Sequence, residues 1–200
     1  MSDSGVCVLG LDPSIANTGY AVLRGDRVLS AGTIRTKADL DEPARLWIIF
    51  QEVVRLVRDF GVDEIAVERF RHFFTTSDLN GDAVASSMGK GGRHVRSKVN
   101  PRSMFLLQAA QTACVMACLS THVPVSLYRV GEWKGGNVTK EGTKELVSII
   151  YGLDIANDNV TDAIMIARHH GLSRTLPGHK RFAVSDESFS EFRDFIWQGC

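Results

Sequence analysis

The chain has 200 residues, a formal net charge of zero and 44% hydrophobic residues, enough for one domain with a buried core. Zero net charge excludes nucleic-acid binding through a global field, so any such binding must come from a local basic face. The opening MSDSGVCVL lacks the basic region of a secretory signal, and the composition predicts no apolar run long enough to span a membrane. Cys7, Cys114, Cys118 and Cys200 fit neither a disulfide framework nor a zinc spacing, which points to a reducing, cytoplasmic setting.

In chain order, Val6–Asp12 reads as a short buried strand that ends on a single carboxylate. Pro13, Asn17 and Gly19 mark a turn, and Tyr20–Arg24 is a second strand. Gly25 and Asp26 return the chain into a third strand at Val28–Thr33. Pro43–Phe60 then places Leu46, Trp47, Phe50, Val53, Val54 and Val57 on one helical face, and Gly61 ends that helix. Asp63–Glu68 is a fourth strand, again closing on an acid. Met104–Leu119 is a helix with Ala109, Ala110, Ala113 and Ala117 spaced for close approach. Pro124–Tyr128 is a fifth strand, and Thr139–Tyr151 and Val160–His170 are two further helices. The order βββαβαβα predicts an α/β fold, a mixed five-stranded sheet flanked by helices.

The acids share a pattern. Asp12 and Glu68 each end a strand, and neighbouring strands would bring them side by side. Two unpaired carboxylates repel, and a bound cation removes that cost. In NDNVTDAIMIARHH, Asp158 and Asp162 are four apart and share a helical face, while Ala163, Ile164, Ile166 and Ala167 supply a core face. Acids from two strands and a helix make an oxygen-rich site suited to Mg²⁺ or Mn²⁺. Two such ions about 3.5–4 Å apart could activate a water and stabilise the leaving oxygen of a phosphodiester. The plainer alternatives are a turn-capping Asp12 and an N-capping Asp158.

LGLDPSIANTGYAVL, IAVERF and NVTDAIMIARHH, in that order, resemble the RuvC-type Holliday-junction resolvases of the ribonuclease H-like superfamily. The resemblance spans Val6–Leu172. It implies a homodimeric, metal-dependent endonuclease that cuts four-way DNA junctions symmetrically, leaving a 5′ phosphate and a 3′ hydroxyl. It places Asp12, Glu68 and Asp162 on the family's acidic positions. The nuclease domain is accordingly expected at 1–172, with a basic and aromatic insertion at 69–103 that departs from the family pattern and, beyond the family core, a linker and amphipathic helix at 173–200. The added insertion and tail incline the reading toward a phage version.

One departure stands out. The family pattern has an acid or a histidine three residues before the final Asp, where this chain has Asn159. Asp158 has taken the role, or Asn159 is a weak neutral ligand, or an original Asp was changed to Asn. All three stay open at this point. The segment GEWKGGNVTKEGTKELV resembles the family stretch with two active-site lysines, here Lys134 and Lys144. An ammonium near the scissile phosphate would offset developing charge. Lys140, four before Lys144, could face the same side, and simple solvent exposure is the alternative for each.

The insertion has two parts. Phe70, Arg71, Phe73 and Phe74 (with His72 between) lie directly after Glu68, where aromatics could stack on junction bases or serve as core. Gly89–Arg102 is glycine-rich and carries Lys90, Arg93, Arg96, Lys98 and Arg102, without Walker A spacing. It reads as a flexible basic arm for DNA phosphates, or as a solvated loop. In the tail, Ser188 and Glu191 have capping-box spacing, and Phe189, Phe192, Phe195 and Ile196 form a stripe. That stripe is expected to dock on the body or the dimer mate in preference to recruiting another protein. His169 and His170 are read only as helix-dipole partners.

Three competitors share features of this pattern. A sugar-kinase or actin-like ATPase needs two domain copies, and the sequence shows no internal repeat. A ribonuclease H proper shares the acids but cleaves RNA in hybrids. A non-catalytic junction-binding protein keeps the fold without the chemistry.

Overall fold

The computed structural model describes residues 5–70, 84–88, 94–98, 101–135 and 138–176, with backbone alone for 84–88, 94–98 and 101. Its first strand, β1 (Cys7–Asp12), is buried from Cys7 to Leu11. An apolar run buried on both faces is what a central strand between two helical layers requires. Next come β2 (Asn17–Arg24), antiparallel to β1, and β3 (Arg27–Arg35), antiparallel to β2. β4 (Glu64–Glu68) and β7 (Val125–Tyr128) add in parallel on the other side. The order β3-β2-β1-β4-β7 is the mixed five-stranded sheet expected from the sequence.

Two helical layers cover it. α1 (Glu42–Phe60) starts where Asp41 accepts the Ala44 N–H and stops at Gly61, whose φ of 58° gives a left-handed cap. With α2 (Pro101–Ser120) it buries Ile49, Val53, Ala110 and Cys114 against Leu9, Leu11, Ile65 and Val67. The opposite face packs Val8, Ala21 and Ala66 against α4 (Lys140–Tyr151) and α5 (Asp158–Ser173), through Val147, Val160, Ala163 and Ala167.

Several expectations need correction. The stretch read as a flexible arm, Gly89–Arg102, holds a strand, β6 (His94–Lys98), which pairs antiparallel with β5 (Val84–Met88) just before it, Ser86 opposite Arg96. A single turn, α3 (Val130–Trp133), follows β7 and was not foreseen. Asn157, not Asp158, caps α5, accepting from the N–H groups of Asn159 and Val160. Arg102–Ser120 is, by length and composition, apolar enough to cross a membrane, with a mean hydropathy of 1.4. In the fold its inner face is core, and Phe105 and Met116 stay exposed. The tail stripe from Phe189 to Ile196 lies outside the described residues.

Candidate active site

Strand register sets the first pair of acids. β1 and β4 run parallel with Leu11 opposite Val67, so the next step along both strands brings Asp12 beside Glu68. Two glycines then bring the third acid close. A Cβ on Gly10 would stand 2.2 Å from the Ala163 carbonyl oxygen, and one on Gly19 only 2.0 Å from that of Asn159. Gly19 is the partner of Asp12 across β1 and β2. Together they let α5 lie directly on the sheet, with Asp162 in the turn between the two contacts. The loop after Asp12 is closed by Thr18, whose hydroxyl donates to the Ser14 carbonyl at 2.7 Å and accepts its N–H at 3.2 Å.

The three carboxylates feel one another. Burial pushes Asp12 well above its ordinary range, Glu68 and Asp162 add to the rise, and Lys134 and Lys140 oppose it. Burial and then Asp162 push Glu68 up to about 7, against Lys134 and the Trp133 indole N–H. Asp162 is raised as well, by burial first, with Lys134 opposing and Asp158 reinforcing. Such mutual destabilisation of the charged forms is what a site built for an external cation shows in its absence.

Lysines ring this centre. Lys134, just after α3, points its ammonium at both carboxylate oxygens of Asp162, at 3.2 and 3.3 Å, and is only 12% exposed. Lys140 and Lys144 from α4 reach Asp158 instead, at 3.0 and 2.7 Å. Their hydrogen bonds, Lys144 first, hold the Asp158 carboxyl below its usual range. Asp158 thus faces lysines on the rim, while Asp162, one turn on, faces the other two acids. Asn159 donates from Nδ2 to the Asn17 carbonyl at 2.6 Å, which ties the start of α5 to β2.

All the donors gathered here are carboxylate oxygens, a set that fits a hard divalent cation. Among the described residues no three such side chains already converge as metal ligands, and Lys134 supplies the positive charge in this arrangement. The family described as crossover junction endodeoxyribonuclease RuvC matches this chain over residues 8–86. A crossover junction endodeoxyribonuclease RuvC from Salinibacter ruber is 31% identical over 176 residues, covering 82% of this chain and 84% of its own. The chain belongs to the RuvC family.

Membership makes it a metal-dependent endonuclease of the crossover junction class. The RuvC of Syntrophomonas wolfei is 29% identical over 82% of this chain and 87% of its own. In structure, Thermus thermophilus RuvC in complex with a Holliday junction substrate superposes with a TM-score of 0.68 at 21% identity, over 88% of this chain and 99% of that one. The yeast mitochondrial Holliday junction resolvase Ydc2 gives a TM-score of 0.53 at 14% identity, over 99% and 88%. These two likenesses support the ribonuclease H-like fold.

Around the RuvC centre the expected DNA-binding residues scatter. Phe70 is half-buried, and its N–H donates to the Gln111 side chain at 2.7 Å. Arg102 lies in the first turn of α2 and pairs with Glu42 at 3.0 Å. Arg96 and Lys98 lie on β6. Arg71, Phe73, Phe74, Lys90 and Arg93 lie outside the described residues.

Two features of this RuvC chain went unread in the sequence. His170, read there as a dipole partner, is 1% exposed and donates from Nε2 to Glu64 at 2.7 Å, while Nδ1 lies 2.8 Å from the Tyr128 hydroxyl. Arg174 adds two bonds to Glu64, at 3.0 and 2.7 Å. This buried cluster ties the far end of α5 to β4 and β7. Its signal was available: an acid inside the apolar stretch DEIAVE needs buried partners. The second feature is Trp133, buried beside Lys134 and Glu68.

Proposed function

We propose that this chain resolves four-way (Holliday) DNA junctions, with Asp12, Glu68 and Asp162 as ligands of Mg²⁺ or Mn²⁺, two ions per site. The observation that carries the reading is that two parallel strands and one crossing helix bring three buried, mutually destabilised carboxylates to one end of the sheet. Bound divalent ions would supply charge neutralisation and an activated water for phosphodiester hydrolysis. Lys134 is a mobile positive charge: it satisfies Asp162 without DNA and turns to the phosphate when that arrives. Lys140 and Lys144 guide the strand in the same way from Asp158, which serves as their holder at the rim more than as a direct ligand. Asn159 anchors α5, so the second ion is the weaker one.

Symmetric cutting needs two centres, and the exposed α1/α2 face suits a second copy of the chain. There Trp47, 57% exposed, stacks on Phe50, and with Phe105, 68% exposed, it lines an apolar groove of about 530 Å³. We assign the nuclease domain to 1–172, with the cationic ribbon around β6 contacting DNA phosphates in the salt-dependent manner of such contacts. Buried free thiols at Cys7, Cys114 and Cys118 support a reducing, cytoplasmic setting in a bacterial or infected host cell.

The test is denaturing-gel mapping of cuts on an immobile four-way junction with Mg²⁺, beside hybrid, duplex and flap substrates. Paired symmetric nicks that vanish in Asp12→Asn support the proposal. Tight binding without cuts would make the chain a structural junction binder. Sedimentation of Trp47→Asp checks the second copy: a monomer is expected.

A further inference from the structure

α3 exists to turn the chain between β7 and the active-site lysine. Its start is held by Glu132, whose side chain accepts the Arg129 N–H. Trp133 ends the turn and points inward, 7% exposed, among Val8, Ala66, Ala163 and Ile166. A large aromatic there is one hydrophobic choice among several. Its polar atom is what needs explaining.

The Trp133 indole nitrogen is buried and has no partner within hydrogen-bond geometry. Buried indole N–H groups ordinarily find an acceptor. The group that feels this one is Glu68, whose charged form the N–H favours. The same ring also meets a cation: the Lys134 ammonium sits 5.2 Å from its centroid, within cation–π range. Lys134 in turn holds Asp162. One rigid side chain therefore contacts the cation that faces an acid from α5 and acts on an acid from β4.

We propose that Trp133 is a positioning residue of the nuclease centre, its indole N–H orienting the Glu68 carboxylate and its ring face seating Lys134. The inference rests on the metal-site reading above. A carboxylate has two oxygens, so an ion can take one side while the indole donor fixes the other. Outer donors of this kind typically change metal affinity about 10–100-fold when removed. Loss of the ring would also free Lys134 to leave Asp162. Trp133 is buried, so its influence runs through its two neighbours.

Trp133→Phe separates the two roles, since it keeps the ring and its packing but lacks the N–H. Calorimetric titration of the metal-free chain with Mn²⁺ is expected to show about tenfold weaker binding in this variant. Junction affinity without divalent metal and the metal-free melting temperature should stay as in the wild type. Cleavage should be recovered at higher Mn²⁺. Trp133→Leu, which removes the ring too, should lose cleavage that added Mn²⁺ does not restore. A second readout needs no Trp133 variant. The chain has 3 tryptophans, so nitrogen-15 indole spectra of Trp47→Phe and Trp197→Phe identify the Trp133 resonance by elimination. That resonance should shift on Mg²⁺ addition. An unmoved resonance together with unchanged Mn²⁺ affinity in Trp133→Phe would overturn the inference while leaving the metal site intact. A wild type that binds no divalent ion at all would remove both.

Discussion

Lys134 places its ammonium against both carboxylate oxygens of Asp162, at 3.2 and 3.3 Å, in a site where both side chains are mostly buried. The pair is the internal counter-charge of an acidic centre. Lys134→Met should leave Asp12, Glu68 and Asp162 without it. In the metal-free chain this is expected to lower stability by about 1–3 kcal/mol, the range for a mostly buried polar group that loses its hydrogen-bond partner. The stabilisation conferred by Mg²⁺ should grow at the same time, because the ion then faces no competing ammonium. Cleavage should still fall, on the order of 100-fold, as the charge opposite the phosphate is missing. Thermal melts with and without Mg²⁺, beside single-turnover cleavage, separate the two effects. Equal Mg²⁺ stabilisation in both proteins would deny Lys134 the counter-charge role.

Stability of the metal-free chain should fall as pH rises toward neutrality. Glu68 is raised from an ordinary 4.5 to about 7 by burial and then by Asp162, and Asp12 and Asp162 are raised in the same sense. A carboxyl with a raised folded value favours folding while protonated. The Glu68 contribution is therefore full below about 4.5 and lost as pH climbs to about 7. Glu64 has the opposite sign: burial opposes its charged form, but Arg174 and His170 outweigh that and hold it low. Its contribution is present above its unfolded value and lost only in acid. Melting temperatures without metal should thus decline between about pH 5 and pH 7, and Mg²⁺ should restore more at about pH 8 than at about pH 6. Glu68→Gln should flatten the decline, and a profile identical to the wild type would contradict the assignment.

Much of this was legible in the sequence, for physical reasons that stop at identifiable places. β1 and β4 declared themselves by short apolar runs that end on Asp12 and Glu68, since a charge ending a buried strand is costly without a function. α1 announced both its ends, through its first-turn Pro43 and Gly61. α2 is apolar nearly all round, so its pattern could not tell a core helix from a membrane span. α3 is one turn long, below any periodicity. The β5–β6 ribbon was hidden because β5 is only five residues of mixed character and β6 sits in a glycine-rich, cationic stretch, neither with the alternation that marks a strand. At the site, the pattern gave the acids but not which acid each lysine meets. Spacing put Asp158 and Asp162 on one face, yet one turn of helix is enough to separate a rim ion pair from the buried centre.

Gly10 is where the fold and the site meet. A Cβ there would stand 2.2 Å from the Ala163 carbonyl and 2.8 Å from the Ala167 side chain, and backbone cannot yield as a flexible side chain can. Gly10→Ala should therefore lift α5 from β1, with an overpacking cost of about 1–3 kcal/mol. Asp162 travels with the helix and away from Asp12 and Glu68. Cleavage should drop far more than stability, and Mn²⁺ affinity should weaken in parallel. A variant of lower melting temperature with unchanged Mn²⁺ affinity would show that α5 does not set the distance between the acids.

Asn159 offers a test in the direction of gain. Its Nδ2 donates to the Asn17 carbonyl at 2.6 Å, and its own carbonyl lies where a side chain on Gly19 would be. Asn159→Asp removes that donor and sets a carboxylate against a carbonyl oxygen, at a cost of about 1–3 kcal/mol to the metal-free chain. The same change adds a negative charge one turn before Asp162, where it can turn toward the acidic centre. The second ion should then bind more tightly, and cleavage of a four-way junction at limiting Mg²⁺ should rise. Addition of Mg²⁺ should also recover the lost stability, because the new charge finds its partner only in the loaded site. Gel mapping across a Mg²⁺ series, with melts at each concentration, reads both effects. Lower stability without any gain in cleavage would mean that Asn159 serves only to anchor the helix to β2.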